Sequence, residues 1–108
     1  MRFQGCSNLE EVTLAPSMKL ENLAFDGCSK LKEVIIPSAI TSIGESCFRN
    51  CYALKTITSQ PTTPPTLGYL AFSGVSPDVV YVPSSSVAAY KSASGWSAWA
   101  SKIEAIQE

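Results

Sequence analysis

The sequence predicts an α/β solenoid, in which copies of one short unit stack, with parallel strands on one face and irregular or short helical turns on the other. Three observations predict it. All four phenylalanines, Phe3, Phe25, Phe48 and Phe72, are spaced 22, 23 and 24 residues apart. Other residues recur at fixed offsets from them: Cys6, Cys28 and Cys51 three places on, Leu9, Leu31 and Leu54 six places on, and Val12, Val34 and Ile57 nine places on. Internal periods of this length mark repeat architectures. Within the frames, Leu9-Glu-Glu-Val12-Thr-Leu14, Leu31-Lys-Glu-Val34-Ile-Ile36 and Leu54-Lys-Thr-Ile57-Thr-Ser59 share one pattern whose final three residues alternate. Such alternation suits a short strand with one buried face.

A unit of this size cannot bury its own apolar face, whereas stacked copies share a continuous core. Equivalent strands then pair in parallel, roughly 4.8 Å apart. A repeat of 20–29 residues with this spacing is the leucine-rich repeat signature.

The chain reads as one domain, 1–108, with repeats at about 3–24, 25–47, 48–71 and 72–83 and a C-terminal helical cap at 84–108. The first repeat places Pro16 one position late relative to Pro37, which predicts a bulge between Ala15 and Lys19. The second is the most regular. The third carries Gln60-Pro61-Thr-Thr-Pro-Pro65 within an uncharged run from Thr56 to Pro77. Pro64 and Pro65 cannot occupy a central strand or helix interior, so residues 59–66 read as an extended outer loop. Val79-Val80-Tyr81-Val82-Pro83 matches Glu33-Val34-Ile35-Ile36-Pro37 position for position and marks the last strand. Ser84-Ser85-Ser86 offers helix N-caps ahead of a short amphipathic turn at Val87–Lys91. After Gly95, the spacing of Trp96, Trp99 and Ile103 reads as a second helical turn with these three on one face. It would cover the apolar end of the array, with both tryptophans as packing groups.

Phe25-x-x-Cys28-x-x-Leu31-x-x-Val34-x-Ile36-Pro37, followed by Ile43-Gly44-x-x-Cys47-Phe48, resembles the BspA-like leucine-rich repeats found in surface proteins of anaerobic bacteria and some protozoan parasites. Tyr81-Val82-Pro83, Tyr90 and Trp96 resemble the segment that closes the last repeat in that family. The resemblance covers nearly the whole chain. It implies a leucine-rich repeat fold, a location at the cell surface or in secretion, and adhesion to host matrix proteins or other cells.

Charge is low and balanced at −1, with no basic run. Nucleic acid and anionic membranes are therefore poor partners. No apolar run approaches the roughly 18 residues of a membrane span. Met1-Arg2-Phe3 runs straight into a repeat with no signal peptide, although terminal repeats usually carry a polar cap. The expectation is the last part of a longer array whose N-terminal end can self-associate.

Catalytic chemistry has few candidates. With no histidine, the Ser-His and Cys-His nucleophile pairs and most zinc sites are absent. The cysteine spacings of 22, 19 and 4 do not form C-x-x-C pairs, and no glycine-rich phosphate loop occurs. Glu10-Glu11 reads as a solvated strand edge rather than an acid/base pair. No cofactor or metal is expected, and an enzyme is not. Cys6, Cys28 and Cys51 fall in one column, where parallel side chains suit a disulfide poorly. All four cysteines, Cys47 included, read as reduced core residues.

The outward strand positions are Glu11, Thr13, Glu33, Ile35, Thr56, Thr58, Val79 and Tyr81. They pass from acidic through neutral to apolar, and Ile35, Val79 and Tyr81 are candidates for an exposed apolar patch. The expected function is a non-catalytic protein-interaction module binding through this concave sheet. The alternative is a structural spacer and cap with no ligand of its own.

Overall fold

Successive frames lie beside one another as the repeat demands. The structure is a computed structural model in which residues 7–14 and 20–106 are described, the side chain of Thr13 excepted. Phe3, Gly5, Cys6, the bulge expected between Ala15 and Lys19, and much of the expected open N-terminal end lie outside the described residues.

Seven strands are described: β1 (Glu11–Thr13), β2 (Glu33–Ile36), β3 (Ser42–Ile43), β4 (Thr56–Ser59), β5 (Thr66–Leu67), β6 (Val79–Val82) and β7 (Ile103–Ala105). A five-stranded parallel sheet has the order β1-β2-β4-β6-β7. Its register pairs Val12 with Val34, Val34 with Ile57, and Ile57 with Val80, so equivalent letters become spatial neighbours. A second, two-stranded parallel sheet pairs Ile43 with Leu67, and an isolated bridge joins Leu20 to Ile43. The Ile-Gly step of the repeat is thus a backbone rung as well as a turn.

Rungs continue through the turns. Phe25 N–H donates to the Cys47 carbonyl at 2.7 Å, and Phe48 N–H donates to the Ala71 carbonyl at 2.7 Å. Two columns of the turn adopt positive φ. One holds Leu23 (64°), Ser46 (55°) and Leu70 (60°); the other holds Gly27 (81°), Asn50 (64°) and Gly74 (89°). Glycine and asparagine are the residues that tolerate this backbone most readily, which explains the second column but not the leucines of the first.

The core is one column of side chains inside the stack. Phe25 and Phe48 rings lie 5.2 Å apart at 2°, and Phe48 and Phe72 lie 5.1 Å apart at 4°. Leu31, Leu54, Val34, Ile57 and Val80 are fully buried beside them. Cys28, Cys47 and Cys51 are reduced, fully buried thiols, as expected of core residues; Cys6 is not among the described residues. The Cys51 thiol donates to the Phe25 carbonyl at 3.2 Å.

After β6 come a 3-10 turn (Ser84–Ser86), α1 (Val87–Ser92) and two 3-10 turns within Trp96–Lys102, kinked at Trp99 (φ −110°, ψ 21°). The helical reading of this last segment is corrected in one respect. Trp96, Trp99 and Ile103 do not share a helical face, because the turns end at Lys102 and Ile103 opens the fifth parallel strand, paired with Val80. The alternation Ile103-Glu104-Ala105 satisfies the free edge of β6, and those ladder bonds outweigh one more helical turn. The outer loop is also shorter than expected, since Ser59 belongs to β4 and Thr66 to β5.

Candidate functional site

The sheet has two faces with different roles. Along β2, β4 and β6 the burial alternates: Val34, Ile36, Ile57, Ser59, Val80 and Val82 are buried, while the residues between them reach the surface. Parallel register arranges the outward set into two rows. One runs Glu11, Glu33, Thr56, Val79; the other runs Thr13, Ile35, Thr58, Tyr81 and continues to Glu104 on β7. All eight residues expected on the outer face therefore stand at outward register positions. Glu11, Glu33 and Ile35 are exposed; Thr56, Thr58, Val79 and Tyr81 are half-buried.

The apolar patch is less continuous than the sequence implies. Thr58 stands between Ile35 and Tyr81 in their row, and Val79 belongs to the other row. Ile35 is 36% exposed. Sequence reasoning missed Glu104 because Trp96 and Trp99 drew Ile103 into a helical reading; the alternation at 103–105 was the available signal.

Charge concentrates at the N-terminal ends of the strands. Lys32 Nζ lies 3.0 Å from Glu10 Oε1, with both side chains well exposed. The Lys32 hydrogen bond and charge hold the Glu10 carboxyl below its usual range. Glu11 and Glu33 are direct cross-strand partners with no ion pair of their own among the described residues. Like charges placed opposite each other cost a little stability. An open groove of about 980 Å³ runs here, lined by Leu9, Glu10, Glu11, Lys32, Glu33 and Lys55 among others.

On the turn side, Arg49 grips Asp26 with two hydrogen bonds of 2.9 Å, Nε to Oδ1 and Nη2 to Oδ2. This fork geometry adds direction as well as charge. It joins equivalent positions of adjacent repeats, and the contact raises the Arg49 pKa.

A family model described as "BspA type Leucine rich repeat region (6 copies)" matches residues 1–93. The chain belongs to the BspA-type leucine-rich repeat family. No curated protein matches it. The family accounts for the stacked frames and implies a solenoid-like fold, and leucine-rich repeats of this kind are in general non-catalytic protein-interaction domains. No group of three or more metal-ligating side chains stands together among the described residues. Nor is any described helix long and apolar enough to cross a membrane.

Proposed function

We propose that this BspA-type domain is a non-catalytic interaction module of a bacterial cell-surface or secreted protein, which adheres to host or matrix proteins through the concave face of its sheet. The observation that carries this reading is the division of the sheet into two sets. The inner set is consumed by the core, while Glu11, Glu33, Ile35, Thr56, Thr58, Val79 and Tyr81 stay at the surface in two aligned rows. Repeat arrays use such an extended face for recognition, and Thr13 belongs to it by register.

The test is capture of purified extracellular-matrix proteins by the immobilised chain. Saturable binding that disappears in Ile35→Glu/Tyr81→Glu supports the reading. Binding that survives both substitutions removes the concave face from it.

A second reading, a spacer and C-terminal cap for a longer array, is favoured by the way Tyr90 and Trp96 are buried at the end of the phenylalanine column. It predicts no capture of any matrix protein. Self-association through the N-terminal end would appear as concentration-dependent sedimentation.

A further inference from the structure

A cleft of about 410 Å³ opens beside the kink at Trp99, lined by Lys55, Ser76, Asp78, Trp99, Ser101 and Lys102 among others. It adjoins the groove at the acidic strand ends through Lys55 and lies between the segment leading into β6 and the turns leading into β7. We propose that this cleft binds a saccharide carrying an acidic group. Four observations converge on that chemistry.

First, the two tryptophans of the chain are not equivalent. Trp96 is fully buried, and its indole Nε1–H donates to the Pro65 carbonyl at 2.9 Å. Trp99 is half-buried and lines the cleft. Its Nε1–H makes no hydrogen bond among the described residues. Since no buried polar side-chain atom among them lacks a partner, that N–H reaches solvent. The ring is an apolar body with a free donor at its rim, which suits a ligand that is apolar on one face and hydroxylated at its edges.

Second, the ring is already held in place. Phe72 meets Trp99 edge-on at 5.1 Å and 73°, and Trp96 does so at 6.0 Å and 79°. A sugar packing against the part of the ring that lines the cleft need not order the ring first, so that entropic cost is small.

Third, the backbone brings the charged groups together. The Lys55 carbonyl accepts from Asp78 N–H at 2.8 Å and from Val79 N–H at 3.2 Å, and Lys102 directly precedes Ile103, the partner of Val80. Lys55, Asp78 and Lys102 thus stand on three successive strand approaches. Two ammonium groups against one carboxylate leave the cleft with an excess positive charge in a chain whose net charge is −1.

Fourth, the remaining groups suit hydroxyls. Lys55 Nζ makes only a long 3.3 Å bond to the Ser76 carbonyl, and neither Asp78 nor Lys102 has an ion pair among the described residues. The Asp78 carboxylate accepts from sugar hydroxyls, the Ser101 hydroxyl donates or accepts, and the ammonium groups meet the acid. The volume falls within the range usual for small-ligand sites.

The test follows the two indole N–H resonances of the isotope-labelled chain by NMR. An oligosaccharide of uronic acids and a sulfated oligosaccharide are titrated in separate arms, beside a neutral oligosaccharide of matched length and an oligoglutamate peptide. The expected result is a saturable shift of the Trp99 signal with at least one acidic sugar while Trp96 stays still. The double variant Lys55→Gln/Lys102→Gln should weaken binding at least tenfold with an unchanged melting temperature, since both side chains are at the surface. Which acidic arm binds identifies the acid. A static Trp99 signal in both acidic arms overturns the proposal. So does an equal response to the neutral sugar or to oligoglutamate, or undiminished binding by the lysine variant.

Discussion

Gly44 and Gly68 sit where successive turns approach most closely. A Cβ on Gly44 would lie 2.5 Å from the Asn22 backbone nitrogen, and one on Gly68 would lie 2.6 Å from that of Glu45. Backbone cannot yield as a flexible side chain does, so Gly44→Ala should cost about 1–3 kcal/mol, the usual range for overpacking. Urea unfolding measures this, and a loss below about 0.5 kcal/mol would mean that the turns are not packed so tightly. The thiols make a second prediction. Burial pushes Cys47 and Cys51 from their ordinary 9 up to about 12. Below about pH 9 folded and unfolded chains both hold these protons. As pH rises from there toward 12, the unfolded chain releases them first, so stability present below pH 9 is lost through that window. Chemical denaturation at pH 8 and pH 10 should show the fall, and replacing both cysteines by alanine should flatten it. At neutral pH the folded chain should resist thiol labelling at Cys28, Cys47 and Cys51, which react only on unfolding.

At the scale of elements, the proline-rich loop and the C-terminal segment stabilise each other. Three side chains from the C-terminal segment donate to loop carbonyls: Ser86 Oγ to Thr62 at 2.7 Å, Tyr90 Oη to Pro61 at 2.6 Å and Trp96 Nε1 to Pro65 at 2.9 Å. Ser59 Oγ, itself buried in β4, lies 2.8 Å from the Tyr90 hydroxyl. With the Tyr90 proton committed to Pro61, Ser59 is the donor in that pair. Pro61 and Pro65 supply no N–H, and their carbonyls, buried against the C-terminal segment, would be left without a partner if these donors were lost. Tyr90→Phe keeps the ring against Trp96 but strands the Ser59 hydroxyl and the Pro61 carbonyl in a buried site. It should cost about 1–3 kcal/mol, measured by thermal or urea unfolding. A neutral outcome would indicate that water replaces the hydroxyl.

Across the whole molecule, stability should be graded along the stack. Each repeat rests on its two neighbours, and β2, β4 and β6 each have a strand on both sides, whereas β1 and β7 have one described neighbour apiece. Native-state hydrogen exchange should therefore be slowest in β2, β4 and β6 and faster in β1 and β7, because edge strands open without disturbing the rest. Uniform protection from β1 to β7 would instead mean that the array opens only as a single unit. The Arg49–Asp26 fork and the Glu10–Lys32 pair both join adjacent repeats, but only the first is shielded, so removing Arg49 should lower stability more than removing Lys32.

The spacing of Phe25, Phe48 and Phe72 determined the architecture by itself, since identical letters one coil apart can bury their faces only by stacking. It also assigned inner and outer strand positions, because a strand sends alternate side chains to opposite faces. Three features were decided only by tertiary structure. Ile103 became a strand because the open ladder of β6 offered bonds that no local pattern announces. The loop at 60–65 found its partners 24 to 31 residues later, in Ser86, Tyr90 and Trp96. Trp99 parted from Trp96 because a kink turned one indole inward and left the other half in solvent. Periodic features follow from local sequence; these three depend on what happens to lie across a gap, and only the folded chain brings those groups together.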